Sequence, residues 1–202
     1  MKQYLILSIV SIYHFFLVGM SRFCVVSNSQ ISDTDCFITG GINFLALDFD
    51  QTMITIHTGG RFKGTTSELS SYVRPLFINL ITRAHENGIK IGIVTFSPQT
   101  KVIASVMEMV FPDFGNEIVI RGRDHSFHYE GNGMKQGKQP FMASACEELL
   151  TKNKHMNITK NTTLLIDDDV NNIRLALRDG VRSILLDPDR SHFLLQDILN
   201  MP

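Results

Sequence analysis

Residues 42–52 read INFLALDFDQT, a short apolar run that ends at two aspartates, Asp48 and Asp50. Aspartate is unfavourable in a β-strand and costly beside a hydrophobic core, so its presence here calls for more than a solvated turn. Carboxylates that meet at a strand end repel each other unless a cation lies between them, and oxygen ligands favour magnesium over zinc. Because turns also collect aspartate, Asp-x-Asp alone is a weak signal of a metal site.

This apolar run is the first of several. From Ile42 onward, short apolar segments alternate with longer amphipathic ones, which is typical of a parallel sheet covered by helices. The predicted strands are 42–49, 89–96, 117–121, 163–167 and 183–186, and the predicted helices are 71–86, 100–109, 140–152, 171–178 and 191–199. We therefore predict an α/β fold with a doubly wound, Rossmann-like parallel sheet of about five strands in a three-layer α/β/α arrangement.

Polar residues follow two further predicted strands. Thr95 and Ser97 follow the second strand, and Asp167, Asp168 and Asp169 end the fourth. In such sheets ligands bind beyond the carboxyl ends of the strands, so we expect these side chains to lie near the two aspartates of the first strand. The aspartate triplet also fits the N-cap of the helix that follows it, so that Asp169 can be the helix cap rather than a ligand.

Four segments resemble, in the family's order, the motifs of the haloacid dehalogenase-like hydrolases. The first and fourth motifs are similar to LDFDQT at 47–52 and LIDD at 165–168. The second, a hydroxyl residue after an apolar strand, is matched by IGIVT at 91–95, and the third, a lysine that opens a helix, by GKQP at 137–140. The resemblance covers about residues 42–187, and its first and fourth motifs are specific in combination.

The resemblance implies a mechanism. The Asp48 carboxylate would attack phosphorus and form an aspartyl-phosphate, while Asp50 would protonate the leaving oxygen and later deprotonate a water molecule. Mg²⁺ would be the cofactor. The implied ligands of the metal are Asp48, Asp50 through its backbone carbonyl, Asp167 and Asp168, and the implied substrate contacts are Thr95 and Lys138. Two choices stay open, because Ser97 can replace Thr95 and Lys135 can replace Lys138.

The spacing of the motifs indicates which branch of the superfamily the chain resembles. An aspartate two residues after the nucleophile, as at Asp50, is typical of the phosphatases of this superfamily rather than of its dehalogenases or P-type ATPases. Residues 55–70 and 98–137 are too short for a cap domain, although 55–70 suffice for a flap hairpin around Thr58-Gly59-Gly60. The chain therefore resembles the capless branch, which includes magnesium-dependent phosphatases. Its open site is expected to accept a phosphoprotein or another large phosphorylated substrate; the alternatives are a polynucleotide 3′-phosphatase and a non-catalytic binding protein.

Basic side chains near the predicted site are possible substrate contacts. They belong to the loop 121–128 and to the flap, and they are Arg121, Arg123, His125, His128, His57 and Arg61. A solvated loop explains the same residues at least as well.

Composition excludes some partners and leaves others open. Nineteen basic and twenty acidic residues give a formal net charge of −1, so no overall field attracts nucleic acid or an acidic membrane. Three cysteines, Cys24, Cys36 and Cys146, lack zinc-site spacing. A single Cys24–Cys36 bridge in an oxidising compartment stays open.

Residues 1–30 form a predicted hydrophobic leader, in which Lys2 precedes a mostly apolar stretch at 4–20. The pattern fits a signal peptide or an uncleaved membrane anchor, with an extra N-terminal helix as the alternative. We therefore expect a phosphatase-like domain at 40–202, located in the secretory pathway or anchored to a membrane, and otherwise cytoplasmic. Any membrane association is expected through the leader only.

Overall fold

The computed structural model of the chain describes residues 40–127 and 133–201. The predicted leader at 1–30 and the possible Cys24–Cys36 bridge lie outside the described residues, as does His128. Within the described ranges, no helix is long and apolar enough to cross a membrane.

A five-stranded parallel sheet forms the centre of the fold, with strand order β3-β2-β1-β4-β5. The strands are β1 Phe44–Leu47, β2 Lys90–Val94, β3 Val119–Arg121, β4 Thr163–Asp167 and β5 Arg182–Leu185. The predicted doubly wound parallel sheet is therefore confirmed. Leu47 pairs with Ile93 on one side and with Ile166 on the other, so β1, β2 and β4 end at the same level.

Seven helices are present in the described part of the chain, and together with the sheet they make three layers. They are α1 Thr66–Ser70, α2 Pro75–Glu86, α3 Thr100–Val110, α4 Gly133–Gln136, α5 Gln139–Lys152, α6 Val170–Arg178 and α7 Leu194–Leu199. One hydrophobic core joins the sheet to α2, α3 and α7, and a second joins the other face to α5 and α6. The predicted three-layer arrangement is therefore confirmed.

The sequence of β1 is apolar throughout because both faces of this strand are buried. Leu45 and Leu47 belong to the core on the α2 side, whereas Phe44 and Ala46 belong to the core on the α5 side. Successive side chains of a strand point to opposite faces, and both faces of this sheet are covered. A continuous apolar run is thus the expected pattern for this central strand.

Two predicted helices begin later than the sequence pattern indicated. Helix α2 begins at Pro75 rather than at residue 71, because proline has the fixed φ of the first helical position and lacks the N–H group that would be unpaired there. The predicted helix 191–199 is regular only from Leu194, after a 3₁₀ segment at Pro188–Phe193. The short helices α1 and α4 were not predicted.

The flap, which we define as residues 54–64, is a loop and not the predicted β-hairpin. Its only β-type pairing in the described structure is an isolated antiparallel bridge between Ile54 and Val73. Gly59 and Gly60 at its tip have φ angles of 62° and 68°, which glycine adopts without steric cost. The chain therefore reverses here without forming a strand ladder.

Candidate active site

The segment that follows β1 places two aspartates at the carboxyl edge of the sheet. The turn, Phe49–Met53, has extended backbone at Asp50 and a φ of 58° at Gln51. Gln51 thus adopts the left-handed conformation that glycine favours. Asp48 and Asp50 both line the pocket above this edge.

Three carboxylates lie close enough to hold one metal ion. Asp48, Asp167 and Asp168 each offer an oxygen within 4.8 Å of the others. Asp48 and Asp167 are buried, and Asp168 is half-buried. The Thr52 hydroxyl donates to the Asp168 carboxylate at 2.8 Å and accepts from the Asp168 N–H at 3.0 Å. The turn after β1 therefore fixes Asp168 beside the other two carboxylates.

The side chain of Lys138 is the cation at the centre of this cluster, with a relative exposure of 1%. Its ammonium contacts the Asp48 carboxylate, lies 3.7 Å from the Asp167 carboxylate and donates to the Val94 carbonyl at 2.7 Å. Lys135 is exposed on α4 and is absent from the pocket lining. The geometry therefore brings Lys138, and not Lys135, to the carboxylates.

The charges of this cluster fit a divalent cation. Burial raises the pKa of Asp48 from 3.8 to about 7, although the neighbouring Lys138 ammonium lowers it; the charges of Asp167 and Asp168 raise it further. Burial also raises the pKa of Asp167 against the lowering effect of Lys138. One ammonium is thus too little positive charge for three close carboxylates. An all-oxygen donor group of this kind suits Mg²⁺.

The flap holds the carboxylate of Asp50. Thr58 donates to Asp50 Oδ1 from its backbone N–H at 3.1 Å and from its hydroxyl at 2.8 Å. The Gly60 N–H donates to the same hydroxyl oxygen at 3.2 Å, so the Thr58 proton is directed at the carboxylate. His57 is exposed, and its Nδ1 lies 3.9 Å from the Asp50 carboxylate.

A side-chain clamp fixes the flap to the loop after β2. The Gln99 side chain accepts from the Phe62 N–H at 2.7 Å and donates to the Phe62 carbonyl at 2.9 Å. Thr95 and Ser97, the alternative hydroxyls of this loop, are both buried and both line the pocket. The Ser97 hydroxyl also accepts the Gln99 N–H at the start of α3, whereas Thr95 accepts the Ser97 N–H.

The residues around Asp167 divide between helix capping and carboxylate positioning. Asp169 accepts the Asn171 N–H at 2.8 Å, which makes it the N-cap of α6 as its sequence context indicated. The buried Asn172 amide donates to both oxygens of Asp167, at 3.1 and 3.0 Å. Asn172 therefore orients the Asp167 carboxylate from the first turn of α6.

The two arginines of the basic loop lie in different surroundings. The Arg121 guanidinium donates to Ser144 at 2.9 Å and to Glu148 at 2.6 Å, so α5 binds it away from the pocket. Arg123 is exposed, and its guanidinium lies 4.3 Å from the centre of the Phe96 ring. Of the two guanidinium groups, that of Arg123 lies against a residue of the pocket lining, Phe96.

Four residues of this site were not assigned to it from the sequence. Thr58, Phe96 and Asn172 line or support the pocket, and Arg74 donates to the Gln51 and Thr52 carbonyls at 3.1 Å each. Of these four, only Asn172 is indicated by the sequence, because it lies five residues after Asp167 on the helix that the aspartate triplet caps. The others depend on how loops return to the sheet edge.

The pocket has a volume of about 500 Å³. Residues from the turn after β1, the flap, the loop after β2, Lys138 and the β4–α6 junction line it, and they include Asp48, Asp50, Thr95, Phe96, Ser97, Lys138, Asp167 and Asp168. All six residues that the sequence assigned to the site are therefore brought to one cavity.

Comparisons with known proteins identify the fold. No protein-family model and no curated protein matches the sequence. A HAD-superfamily hydrolase from Ehrlichia chaffeensis superposes with a TM-score of 0.50 at 15% identity, covering 78% of this chain and 96% of that one. The N-terminal part of a Bacteroides fragilis protein, containing a phosphatase domain complexed with Mg, superposes with a TM-score of 0.52 at 17% identity. That match covers 83% of this chain and 43% of the other.

The chain therefore has the fold of the haloacid dehalogenase-like superfamily, as the motif resemblance implied. The carboxylate cluster and Lys138 lie at the carboxyl edge of its sheet, beside the point where the strand order reverses between β1 and β4. Open α/β sheets bind their ligands at this point.

Proposed function

We propose that this protein is a magnesium-dependent phosphatase that hydrolyses phosphate monoesters through an aspartyl-phosphate on Asp48. The observation that carries the proposal is the contact of the buried Lys138 ammonium with Asp48, whose carboxylate oxygen lies within 4.8 Å of oxygens of Asp167 and Asp168. The Bacteroides neighbour, which shares the fold, contains a phosphatase domain complexed with Mg and is consistent with this proposal.

In the first step, an Asp48 carboxylate oxygen forms a bond to phosphorus while the bond from phosphorus to the leaving oxygen breaks. Asp50 gives a proton to that leaving oxygen, which departs as an alcohol. In the second step a water molecule attacks phosphorus, its proton passes to Asp50, and the bond from Asp48 to phosphorus breaks. Inorganic phosphate is released and both aspartates return to their starting states.

The surrounding residues support these steps. Lys138 holds the Asp48 carboxylate and supplies positive charge to the phosphoryl oxygens, and Thr95 donates a hydrogen bond to them. Thr58 keeps Asp50 within reach of the leaving oxygen through its two hydrogen bonds. When bound by Asp48, Asp167, Asp168 and the Asp50 carbonyl, Mg²⁺ supplies the charge that offsets repulsion between phosphate and nucleophile.

We place the protein in the capless branch of the superfamily. Between β1 and α2 the described chain contains only the turn, the flap and α1, and between β2 and Lys138 its described residues form only α3, a short 3₁₀ segment at Gly115–Glu117, β3, α4 and the loops that join them. An uncapped pocket accepts a phosphate that projects from a large molecule, so a phosphoprotein is a suitable substrate.

The test is phosphate release by the purified protein from a panel of phosphomonoesters, with Mg²⁺ and with a chelator. We expect release that depends on Mg²⁺ and that falls at least about a thousandfold in Asp48→Asn. Asp113→Asn changes an exposed aspartate outside the pocket and is the matched control. Equal release by the wild type and Asp48→Asn would contradict the proposal.

A further inference from the structure

Arg123 lies beside the part of the pocket where the phosphoryl group would bind. Its guanidinium carbon lies 4.3 Å from the centre of the Phe96 ring, and the Lys138 ammonium lies 4.3 Å from the same centre. Phe96 lines the pocket between Thr95 and Ser97. The same aromatic ring therefore contacts both Arg123 and the lysine that contacts the proposed nucleophile.

The backbone that carries Arg123 is fixed to the loop after β2. The Arg123 N–H donates to the Ser97 carbonyl at 3.1 Å. A Cβ on Gly122 would lie 2.3 Å from that carbonyl oxygen, so only glycine permits this approach. The next residue, Asp124, accepts the Thr100 hydroxyl at 2.5 Å. Arg123 is thus held at the pocket by its neighbours on both sides.

The charge of Arg123 is available to a ligand. Among the residues that the structure describes, no carboxylate lies within ion-pair distance of it, whereas Arg121 is paired with Glu148 at 2.6 Å. A guanidinium that stacks on an aromatic ring keeps its edge N–H groups directed outward, where they can bind an anion in a bidentate manner. The floor of the pocket is acidic, so an anionic group beyond the phosphate would be repelled without such a cation.

We propose that Arg123 and Phe96 form a subsite that binds a second anion. This subsite selects phosphomonoesters that carry a further phosphate or carboxylate close to the scissile phosphate. This inference rests on the proposed phosphatase function and adds a substrate class to it. The second anion can belong to the small molecule itself or to an acidic residue beside a phosphorylated residue of a protein.

Matched substrates distinguish these two sources. For small molecules the pair is 3-carboxyphenyl phosphate and its methyl ester, and for proteins it is a phosphoserine peptide with glutamate or glutamine after the phosphoserine. The measurement is kcat/KM for each substrate with wild type, Arg123→Gln and Arg123→Lys. Lys160→Gln removes an exposed cation at the opposite edge of the sheet, before β4, and is the charge-matched control.

We expect the wild type to prefer the acid of at least one pair by about fivefold, as one partly exposed ion pair can provide. Arg123→Gln should remove that preference because it lowers kcat/KM for the acid about fivefold more than for the uncharged partner, Arg123→Lys should retain most of it, and Lys160→Gln should leave it intact. The pair that shows the preference identifies the source of the second anion.

Two results would overturn this inference without affecting the proposed phosphatase function. They are a wild type that is active but indifferent to the second anion in both pairs, and an Arg123→Gln variant that keeps the wild-type preference. A wild type that releases no phosphate from any of the substrates contradicts the proposed function, and the subsite falls with it.

Discussion

Asp50 illustrates how a single residue depends on its immediate partners. In the proposed mechanism Asp50 first gives and then takes a proton, so its carboxyl group has to stay in one position through both steps. In this protein Thr58 provides that restraint with a backbone N–H and a hydroxyl, and the Gly60 N–H fixes the direction of the hydroxyl.

Removing this hydroxyl tests the role of Thr58. Thr58→Val should lower kcat about tenfold for an alkyl phosphate, because its leaving oxygen needs a well-placed proton donor. The loss should be smaller for p-nitrophenyl phosphate, whose leaving group departs with little protonation. Steady-state kinetics on both substrates is the measurement.

Two further variants separate positioning from general disturbance of the flap. Thr58→Ser keeps the hydroxyl and should retain most activity, and Thr55→Val, at an exposed position of the same segment, should behave like the wild type. Equal losses on the alkyl and aryl phosphates in Thr58→Val would argue against a role in proton transfer.

At the scale of elements, Arg74 connects the turn after β1 to the C-terminal part of the chain. From the start of α2 its guanidinium donates to the Gln51 and Thr52 carbonyls and to the Pro188 carbonyl, each at 3.1 Å. The turn contains a residue with positive φ, so it depends on contacts of this kind to hold its conformation.

Loss of these bonds should destabilise the fold and disturb the nucleophile together. Arg74→Ala should lower the free energy of unfolding by about 2 kcal/mol, since it leaves partly buried carbonyls without donors. Denaturant unfolding measures this change. Arg83→Ala, at an exposed position of α2, should alter stability little. An Arg74→Ala variant as stable as Arg83→Ala would show that the turn keeps its conformation without the hydrogen bonds of Arg74.

The elements differ in how far their sequence predicts them. The strands β1, β2 and β4 are buried on both faces, so their apolar runs predict them. The polar residues at or just beyond their carboxyl ends, Asp48, Thr95 and Asp167, follow from that prediction. The flap has no periodic pattern, and its wrongly predicted hairpin lacks the strand ladder because its tip packs on the loop after β2 instead. A Cβ on Gly60 would lie 2.7 Å from the Pro98 ring.

At the scale of the whole molecule, chain topology brings the site together. The proposed nucleophile Asp48 lies 90 residues before Lys138, and Thr52 lies 116 residues before Asp168, to which its hydroxyl donates. Motif order predicted that they meet, since carboxyl ends of parallel strands share an edge. The partners Thr58, Phe96 and Arg74 could not be predicted, because their positions depend on three-dimensional loop packing rather than on periodicity.

The charge of this site affects the stability of the whole fold. Burial raises the pKa of Asp48 from 3.8 to about 7, so the folded state favours the protonated carboxyl relative to the unfolded chain. Its contribution to stability is present below the unfolded value and is lost as the pH rises through the folded value. Without divalent ions, the free energy of unfolding should therefore fall as the pH rises from about 4 to about 8.

Mg²⁺ should reverse this loss, because it binds the ionised carboxylates. We expect Mg²⁺ to raise the Tm by a few degrees at pH 8 and by much less at pH 5. Thermal unfolding with and without the ion measures both shifts. Asp48→Asn should reduce the gain at pH 8 and Asp113→Asn should not. A gain of the same size at both pH values would contradict the coupling between protonation and metal binding.

The central claim, that Asp48 accepts the phosphoryl group, is tested most directly by trapping the intermediate. In Asp50→Asn the base that activates water is absent, so the aspartyl-phosphate should accumulate with Mg²⁺ and p-nitrophenyl phosphate. Borohydride reduces an acyl phosphate to an alcohol, and peptide mass spectrometry locates the product. We predict homoserine at position 48, and none when Mg²⁺ or the substrate is omitted. Phosphate or the reduced residue at any other position would contradict the assignment.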